Sequence, residues 1–311
     1  MNVFLWHVHG SWTTAFVQGA HRYYLPVDAE RGPDGRGRAR TWDWPANAIE
    51  VTREEACDLA VDVVVMQRPG ELDGLVRAWL GRTPGTDVPA VYLEHDAPQG
   101  RIDDMRHLVA DRPDLTLCHV THFNALFYQS GTTPTRVIEH GIVDPGYRYS
   151  GELPRAAVAI NEGARRGRTV GFDVLPRFTS VVPWDLFGMD AGRFGGYENL
   201  RQSELHREMA RRRVYLHPMR WTSLGLSLIE AMQLGMPVVG LATTEAHDAV
   251  PAEAGYLSTD VDRLVRRAAD LLAEPERARE MGRAARRHAL GRYGLARFLR
   301  DWDTLLADAA S

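Results

Sequence analysis

Three clusters of side chains have the types and spacing to do chemistry. In the first, Thr222, Ser223, Leu224 and Gly225 precede a run in which Leu224, Leu228 and Met232 recur at helical spacing. Hydroxyl side chains at that place cap a helix by accepting hydrogen bonds from its unpaired N–H groups. Such a helix start offers free amides and a positive dipole end, and Gly225 has no Cβ to hold a ligand away, so phosphate is the natural occupant. Glu230, between one and two turns on, can accept hydrogen bonds from a sugar's hydroxyls; the plainer alternative is a solvated surface glutamate. The second cluster is Asn161 to Arg168, with Arg165, Arg166 and Arg168 beside two glycines. It follows a strand, on the side where ligands of doubly wound sheets collect, and otherwise reads as a basic surface loop. The third is His95 in Tyr92-Leu-Glu-His-Asp-Ala-Pro98, at a strand's carboxyl end. It either faces a ligand or bridges backbone groups in a turn, with Asp96 as an N-cap.

The elements that must position these residues alternate strand and helix. Around the first cluster, Val214 to Leu216, the helix, its stop at Gly235 and Pro237, and Val238 to Leu241 form one βαβ unit. Upstream, strands are expected at Val3 to Trp6, Asp62 to Met66, Ala90 to Glu94, Leu115 to His119 and Arg136 to Ile138. Helices are expected near Thr13 to Gly19, Arg53 to Leu59, Glu71 to Leu80, Ile102 to Ala110 and Thr121 to Gln129. Apolar strands separated by amphipathic helices indicate a parallel sheet covered on both faces. Alternation resumes at Ala156 to Ile160 and Val181 to Gly188 and ends in three helices, the last carrying a stripe of Leu295, Leu299, Trp302 and Leu306. Two Rossmann-like domains follow, residues 1–150 and 151–311, with Ser150 to Pro154 as linker. The chain opens strand, Gly10, helix without the G-x-G-x-x-G fingerprint, which lowers the odds of a dinucleotide enzyme, and Gly10 is expected to admit a ligand to the backbone. His7 and His9 point to opposite faces if the strand continues. The polar Gly/Arg run at 31–45 reads as a long mobile loop.

Composition narrows the class. Among 311 residues 44% are hydrophobic, enough for two cores, and a net charge of −4 argues against a general nucleic-acid binder. The chain has no lysine, which excludes Schiff-base chemistry and a Gly-Lys-Ser/Thr phosphate loop. Cys57 and Cys118 lack metal-like spacing and are expected as reduced, buried thiols. No apolar run approaches the roughly 20 residues of a membrane span, and no leader pattern opens the chain, so a cytoplasmic location is expected, with a weak peripheral membrane contact through the terminal helix left open. Trp6, Trp12, Trp42 and Trp44, with Tyr23 and Tyr24, could stack on sugar rings, although such residues more often are core; Trp12 is the acceptor-side candidate. Phe187, Gly188 and Tyr197 are candidates to pack on a nucleotide base.

The first cluster resembles the donor motif of glycosyltransferase family 4 (group 1), retaining enzymes of the GT-B fold. Leu224, Gly225 and Leu226 match its Phe-Gly-Leu, and Glu230, Ala231, Met232, Gly235, Pro237 and Val238 match its Glu-Ala-Met, Gly, Pro-Val. The first of the family's two glutamates falls on Thr222. His140, Gly141, Ile142 and Asp144 are similar to the family's run into the hinge. The resemblance implies two domains facing a cleft, an N-terminal acceptor domain and a C-terminal donor domain, with a final helix crossing back. It implies that Glu230 holds the ribose of a nucleotide diphosphate sugar and that His95 touches the transferred sugar. It also implies that Arg166-Gly167 replaces the family's Lys-Gly on the diphosphate, with Asn161 where its arginine stands and Arg165 or Arg168 as the second cation; guanidinium suits the task because it grips two phosphate oxygens. The implied activity moves a hexose to a hydroxyl of a carbohydrate or small molecule with retention, without cofactor, metal or protein nucleophile. The Asp-x-Asp at Asp301-Trp302-Asp303 lies inside a helix, which argues against the metal-dependent GT-A type. The alternatives are a sugar-nucleotide 2-epimerase and a non-catalytic nucleotide-sugar binder.

Overall fold

Val63-Val-Val-Met66 and Ala90-Val-Tyr-Leu-Glu94 are buried on both faces, as central strands of a covered parallel sheet must be. The computed structural model describes residues 1–311, which divide into Met1–Gly141 with Leu295–Ser311, and Ile142–Gly294. The expected division near Tyr149 thus falls at Gly141. In the first unit the order is β1 (Asn2–Leu5), α1 (Gly10–Phe16), β2 (Arg22–Pro26), β3 (Ala48–Val51), α2 (Arg53–Cys57), β4 (Val63–Met66), α3 (Val76–Leu80), β5 (Ala90–Glu94), β6 (Thr116–His119), α4 (His122–Phe127) and β7 (Thr135–Val137). The sheet runs β3-β2-β1-β4-β5-β6-β7, parallel throughout. Thr52 starts α2 with a capping box closed by Glu55, and Thr121 caps α4.

Five expectations for this unit change. Strands β2 and β3 are additional, and residues 31–45 are pinned rather than loose. Gly37 N donates to Pro26 O at 2.8 Å, Trp6 Nε1 to Asp34 O at 3.1 Å, and Arg31 grips Glu50 at 2.7 and 3.1 Å. No helix forms over Ile102 to Ala110. That backbone pairs instead with the segment after α4, His107 N donating to Gln129 O at 3.0 Å and Gln129 N to Met105 O at 2.9 Å. Cys57 is exposed, while Cys118 is buried and its thiol pushed up by burial. Trp12 is wholly buried, so it has no face to offer an acceptor.

The second unit runs β8 (Leu153–Ala159), α5 (Gly163–Arg166), α6 (Pro176–Thr179), β9 (Trp184–Phe187), α7 (Gln202–Arg211), β10 (Arg212–His217), α8 (Leu226–Leu234), β11 (Val238–Leu241), α9 (Ala246–Ala249), β12 (Gly255–Ser258), α10 (Val261–Ala273) and α11 (Pro275–Arg292). Its sheet is β12-β11-β10-β8-β9, again parallel. Gly235, at φ 94°, ends α8. Gly282 of α11 lies so close beneath it that a Cβ would strike the Gly235 carbonyl, which is how the two helices pack.

Helix α12 (Leu295–Ala310) belongs to the first unit. Of the expected stripe, Trp302 and Leu306 are buried, Leu295 and Leu299 only partly, and Phe298 and Leu305 complete the buried face. Trp302 lies edge-on to Trp12 and Phe16 at 5.5 and 4.9 Å between centroids. Arg297 hydrogen-bonds the carbonyls of Glu139 and His140 at 3.0 and 2.5 Å. Trp302→Ala should therefore destabilise the first unit by about 3–5 kcal/mol through the cavity it leaves. Urea unfolding checks this, and a loss below about 1 kcal/mol would show that α12 is dispensable to the core.

Candidate functional site

In the second sheet the chain moves one way from β8 to β9 and the other way from β10 through β11 to β12. Ligands of open α/β sheets sit outside the carboxyl ends of the strands where that direction reverses, which here is between β8 and β10. The loop after β8 holds Asn161 to Arg168 and the loop after β10 holds Pro218 to Gly225, so two of the three clusters converge there. Their approach depends on Gly171. It has φ +67°, and a Cβ on it would fall inside the Pro218 carbonyl. Thr169 O then accepts both Arg220 N and Trp221 N at 3.0 Å, and the Arg220 guanidinium clamps Asp173, one contact at 3.0 Å. Those bonds hold Asp173 below the usual carboxylate range.

The cations of the first loop differ in commitment. Arg165 is paired with Glu162, Nε to Oε1 at 2.9 Å, and Arg168 reaches Asp173 at 3.4 Å from an exposed position. Arg166 is half-buried, at the end of α5, and makes no side-chain hydrogen bond or ion pair. Asn161 is occupied structurally: its Oδ1 accepts Met189 N at 2.9 Å and so fixes the exit of β9. Thr222 and Ser223 do not cap α8. The helix begins at Leu226 with Gly225 as its N-cap and no side-chain cap bond, because residues 222–225 are spent in crossing from the tip of β10. Ser223 and Leu224 are buried in that crossing and Thr222 is partly so. A Cβ on Gly225 would stand 3.2 Å from Cε1 of His217, so the glycine lets the two lie close without a shift of the ring.

Glu230 is only 4% exposed, so it is not a solvated surface residue. Its carboxylate faces α7, with Oε2 3.4 Å from His206 Nε2 and Oε1 accepting from Gln202 Nε2 at 3.4 Å. Gln202 and His206 lie four apart on α7 and so share a face. His217, at the tip of β10, is buried with Nδ1 unpaired, and burial lowers its pKa to about 4. Sequence reasoning passed over these three and Arg220; the signal was available in a polar i, i+4 pair and in a histidine standing directly at a strand end. Phe187 and Tyr197 stack on each other at 4.9 Å beneath Arg212, and Phe187 is wholly buried, which leaves it no face for a base.

In the first unit the direction reverses between β1 and β4, and the residues after β1, β4 and β5 meet. His95, 8% exposed, bonds Gln67 Oε1 through Nε2 at 3.0 Å and lies tilted against His9 at 4.1 Å between centroids. Gln67 donates in turn to Trp6 O at 2.9 Å. His140 lies parallel to His95 at 6.3 Å, and Trp12 lies edge-on behind it at 5.4 Å. Burial drives His95 well below its ordinary pKa, so it acts as a neutral imidazole. His7 turns the other way, onto Trp44 and the carbonyl of Gly37. The space a Cβ on Gly10 would take is filled by the indole of Trp42, so that glycine accommodates the protein's own loop.

No group of three or more His, Cys, Asp or Glu residues is arranged to hold a metal ion. In α12, Asp303 bonds His21 at 3.0 Å and Asp301 pairs with Arg297 at 2.9 Å. A second Asp-x-Asp, which sequence reading overlooked, is Asp260-Val261-Asp262: Asp260 caps α10, accepting Arg263 N at 3.1 Å, and Asp262 pairs with Arg177.

Comparison with known proteins agrees with this geometry. Residues 191–288, from before α7 to within α11, match the family described as glycosyl transferases group 1. No curated protein matches the chain by sequence. Among solved structures, sucrose-phosphate synthase from Thermosynechococcus elongatus superposes with TM-score 0.72 at 14% identity, covering 100% of both chains. Anabaena HepE in complex with UDP and glucose superposes with TM-score 0.70 at 15% identity, covering 99% of this chain and 100% of that one. A TarM mutant from S. aureus, in complex with Fondaparinux, alpha-GlcNAc-glycerol and UDP, gives 0.61 at 14% identity over 78% of this chain; the chain spans 55% of it. The fold is that of the GT-B glycosyltransferases, two parallel-sheet α/β domains of 7 and 5 strands.

The buried histidines make stability depend on pH. Burial lowers His7, His119 and His217 to about 4 and His140 to about 3, from 6.5. Between those values the unfolded chain binds more protons than the folded one, so stability rises with pH there. Each such histidine should cost about 1.4 kcal/mol per pH unit as pH falls below 6.5, and nothing above it. Urea midpoints followed from neutral pH down to about 4 should fall through this window; a level profile would contradict the burial of these rings in neutral form.

Proposed function

We propose that the protein is a retaining glycosyltransferase of family 4, moving a hexose from a nucleotide diphosphate sugar to a hydroxyl of a carbohydrate or small-molecule acceptor. The observation that carries this reading is the convergence of the loops after β8 and β10 at the reversal point of the second sheet, beside the segment that matches the group 1 family. The second unit is then the donor domain and the first the acceptor domain. Arg166, which has no partner of its own, takes the diphosphate oxygens, with the exposed Arg168 as second cation; Arg165 is spoken for by Glu162. The first amides of α8 lie across the reversal point with their dipole favouring the same negative charge. Glu230 anchors the ribose, and Gln202 and His206 orient its carboxylate.

In the transfer, the bond from the anomeric carbon to the diphosphate breaks while the acceptor oxygen bonds to that carbon on the same face. The acceptor's proton passes to a donor phosphate oxygen, so no protein nucleophile is required. Neutralisation of the leaving group is assigned to arginine and helix amides, without a metal or other cofactor. His95, neutral and held by Gln67, touches the transferred sugar as a hydrogen-bonding group, not as a cation. We place the enzyme in the cytoplasm; no helix is long and apolar enough to cross a membrane.

A second reading, a non-catalytic nucleotide-sugar binder, is favoured by two positions: Thr222 stands where the family has a glutamate, and Asn161 is engaged with Met189. Two measurements separate the readings. In a thermal-shift panel of UDP, GDP, ADP and dTDP, one nucleotide should stabilise the chain, by about 2.7 kcal/mol at 100 times its Kd; no response to any of them defeats both readings. With the matching nucleotide sugar and an acceptor panel, Arg166→Ala should slow turnover by about 10²-fold or more through lost leaving-group stabilisation. Unchanged kinetics would remove Arg166 from the site, and binding without turnover would select the second reading.

A further inference from the structure

The first unit contains a cavity of about 250 Å³ that the donor chemistry does not use, lined by His7, Arg31, Arg36, Arg38, Ala39 and Arg40. It lies beyond the carboxyl ends of β1 and β2, the end of the sheet that also carries His95, where ligands of such sheets bind. Its walls are fixed by hydrogen bonds. Arg38 donates to Pro45 O at 2.9 Å and Trp44 O at 2.5 Å, its own N–H meets Glu50 Oε1 at 2.8 Å, and Val27 bridges to Arg36 across the base of the loop.

Charge in this cavity is not balanced. Arg31 is neutralised by its two-fold grip on Glu50, but Arg38 spends its guanidinium on backbone carbonyls, and Arg36 and Arg40 make no side-chain hydrogen bond or ion pair. Asp28 also acts on Arg31, so of the four arginines it is Arg36 and Arg40, both exposed, that are left without a carboxylate partner. Of the nearby acids, Asp34 pairs with Arg68 at 3.0 Å and Asp28 accepts Gly32 N at 3.3 Å. Two uncommitted guanidiniums on the wall of one recess favour an anion there. His7 adds a complementary group. Its Nδ1 faces a carbonyl oxygen at 3.0 Å, so Nδ1 is the donor and Nε2 is left as an acceptor, suited to a hydroxyl. The cavity is smaller than the roughly 300–1,000 Å³ of pockets that enclose whole ligands, which fits one anionic group with part of the sugar bearing it and not a nucleotide sugar.

We propose that this cavity binds a phosphate or sulfate ester on the acceptor, so that the acceptor class is an anionic carbohydrate or polyol rather than a neutral one. The assignment to the acceptor rests on the transferase reading, since the donor diphosphate is met in the second unit; the anion site itself does not. Arg36 and Arg40 are the groups that grip the ester oxygens, and the His7 Nε2 accepts a neighbouring hydroxyl.

The full chain is titrated by calorimetry at low ionic strength with inorganic phosphate, glucose 6-phosphate, glucose and, separately, UDP. Glucose 6-phosphate should bind where glucose does not, and Arg36→Ala/Arg40→Ala should weaken it by tenfold or more while leaving UDP affinity and the thermal midpoint unchanged. The double Arg→Lys variant should retain most of the binding. Equal affinity in wild type and the alanine variant, or no heat with either phosphate probe, overturns the site. Vesicles containing phosphatidylglycerol form a further arm: if they alone bind, and lose binding in the alanine variant, the occupant is a lipid surface and the acceptor proposal falls. Failure of UDP to bind counts against the transferase reading and leaves the result for the anion site intact.

Discussion

The absence of a single side-chain carbon at Gly171 is the constraint on which the second unit's site depends. Only with a left-handed backbone and no Cβ there can the loop after β8 lie against the Pro218 carbonyl, and only then can Thr169 O collect the amides of residues 220 and 221. Two loops that would otherwise sample many conformations become one surface, tied by backbone bonds and by Arg220 on Asp173. Preorganisation of this kind matters because a charged ligand gains most where the groups that meet it need not be ordered on binding. Arg166 illustrates the result: its backbone is fixed within α5 while its guanidinium is left uncommitted.

The two units differ in the polar groups gathered around their strand ends, although each buries a neutral histidine there, His217 being that of the second. In the first, His95 and His140 are buried and held neutral, nearly parallel rings that can donate and accept hydrogen bonds without carrying charge. In the second, charge is kept and aimed: guanidiniums sit on the loop after β8, and a buried carboxylate is held by polar partners from α7. A sugar presents hydroxyls and a diphosphate presents negative oxygens, which are the two chemistries that the proposed function asks of these environments.

Much of this was legible from the chain alone where periodicity was strong. Ala90–Glu94 and Val238–Leu241 fall where their β-branched runs place them, and the stop at Gly235 follows from its left-handed φ and the proline two residues on. What escaped was local pattern overridden by partners distant in sequence. Residues 102–110 have helical spacing but take their hydrogen bonds from Gln129 and its neighbours, and β2 was masked by the Gly/Arg-rich run behind it, whose order depends on Glu50. At the candidate site, the placement of Glu230 on α8 and of the arginine loop after β8 was readable because chain order sufficed. The capping role given to Thr222 and Ser223 was not, because it turned on where α8 begins, and helix ends are the least determined part of any such reading. Trp12 shows the complementary limit: an aromatic side chain near a glycine turn looks the same in sequence whether it faces a sugar or α12.

Helix α12 follows the entire second unit in the chain, yet Trp302 and Phe298 fill the core that Trp12 and Phe16 begin. Translation therefore delivers an entire second unit before the first can close. Until the final turns leave the ribosome, an apolar face around α1 stays uncovered, exposed to chaperones and to other nascent chains. Closure of the first unit thus waits on residues that follow the entire second unit in the chain, and a break anywhere between the two would leave the earlier-made unit unfinished.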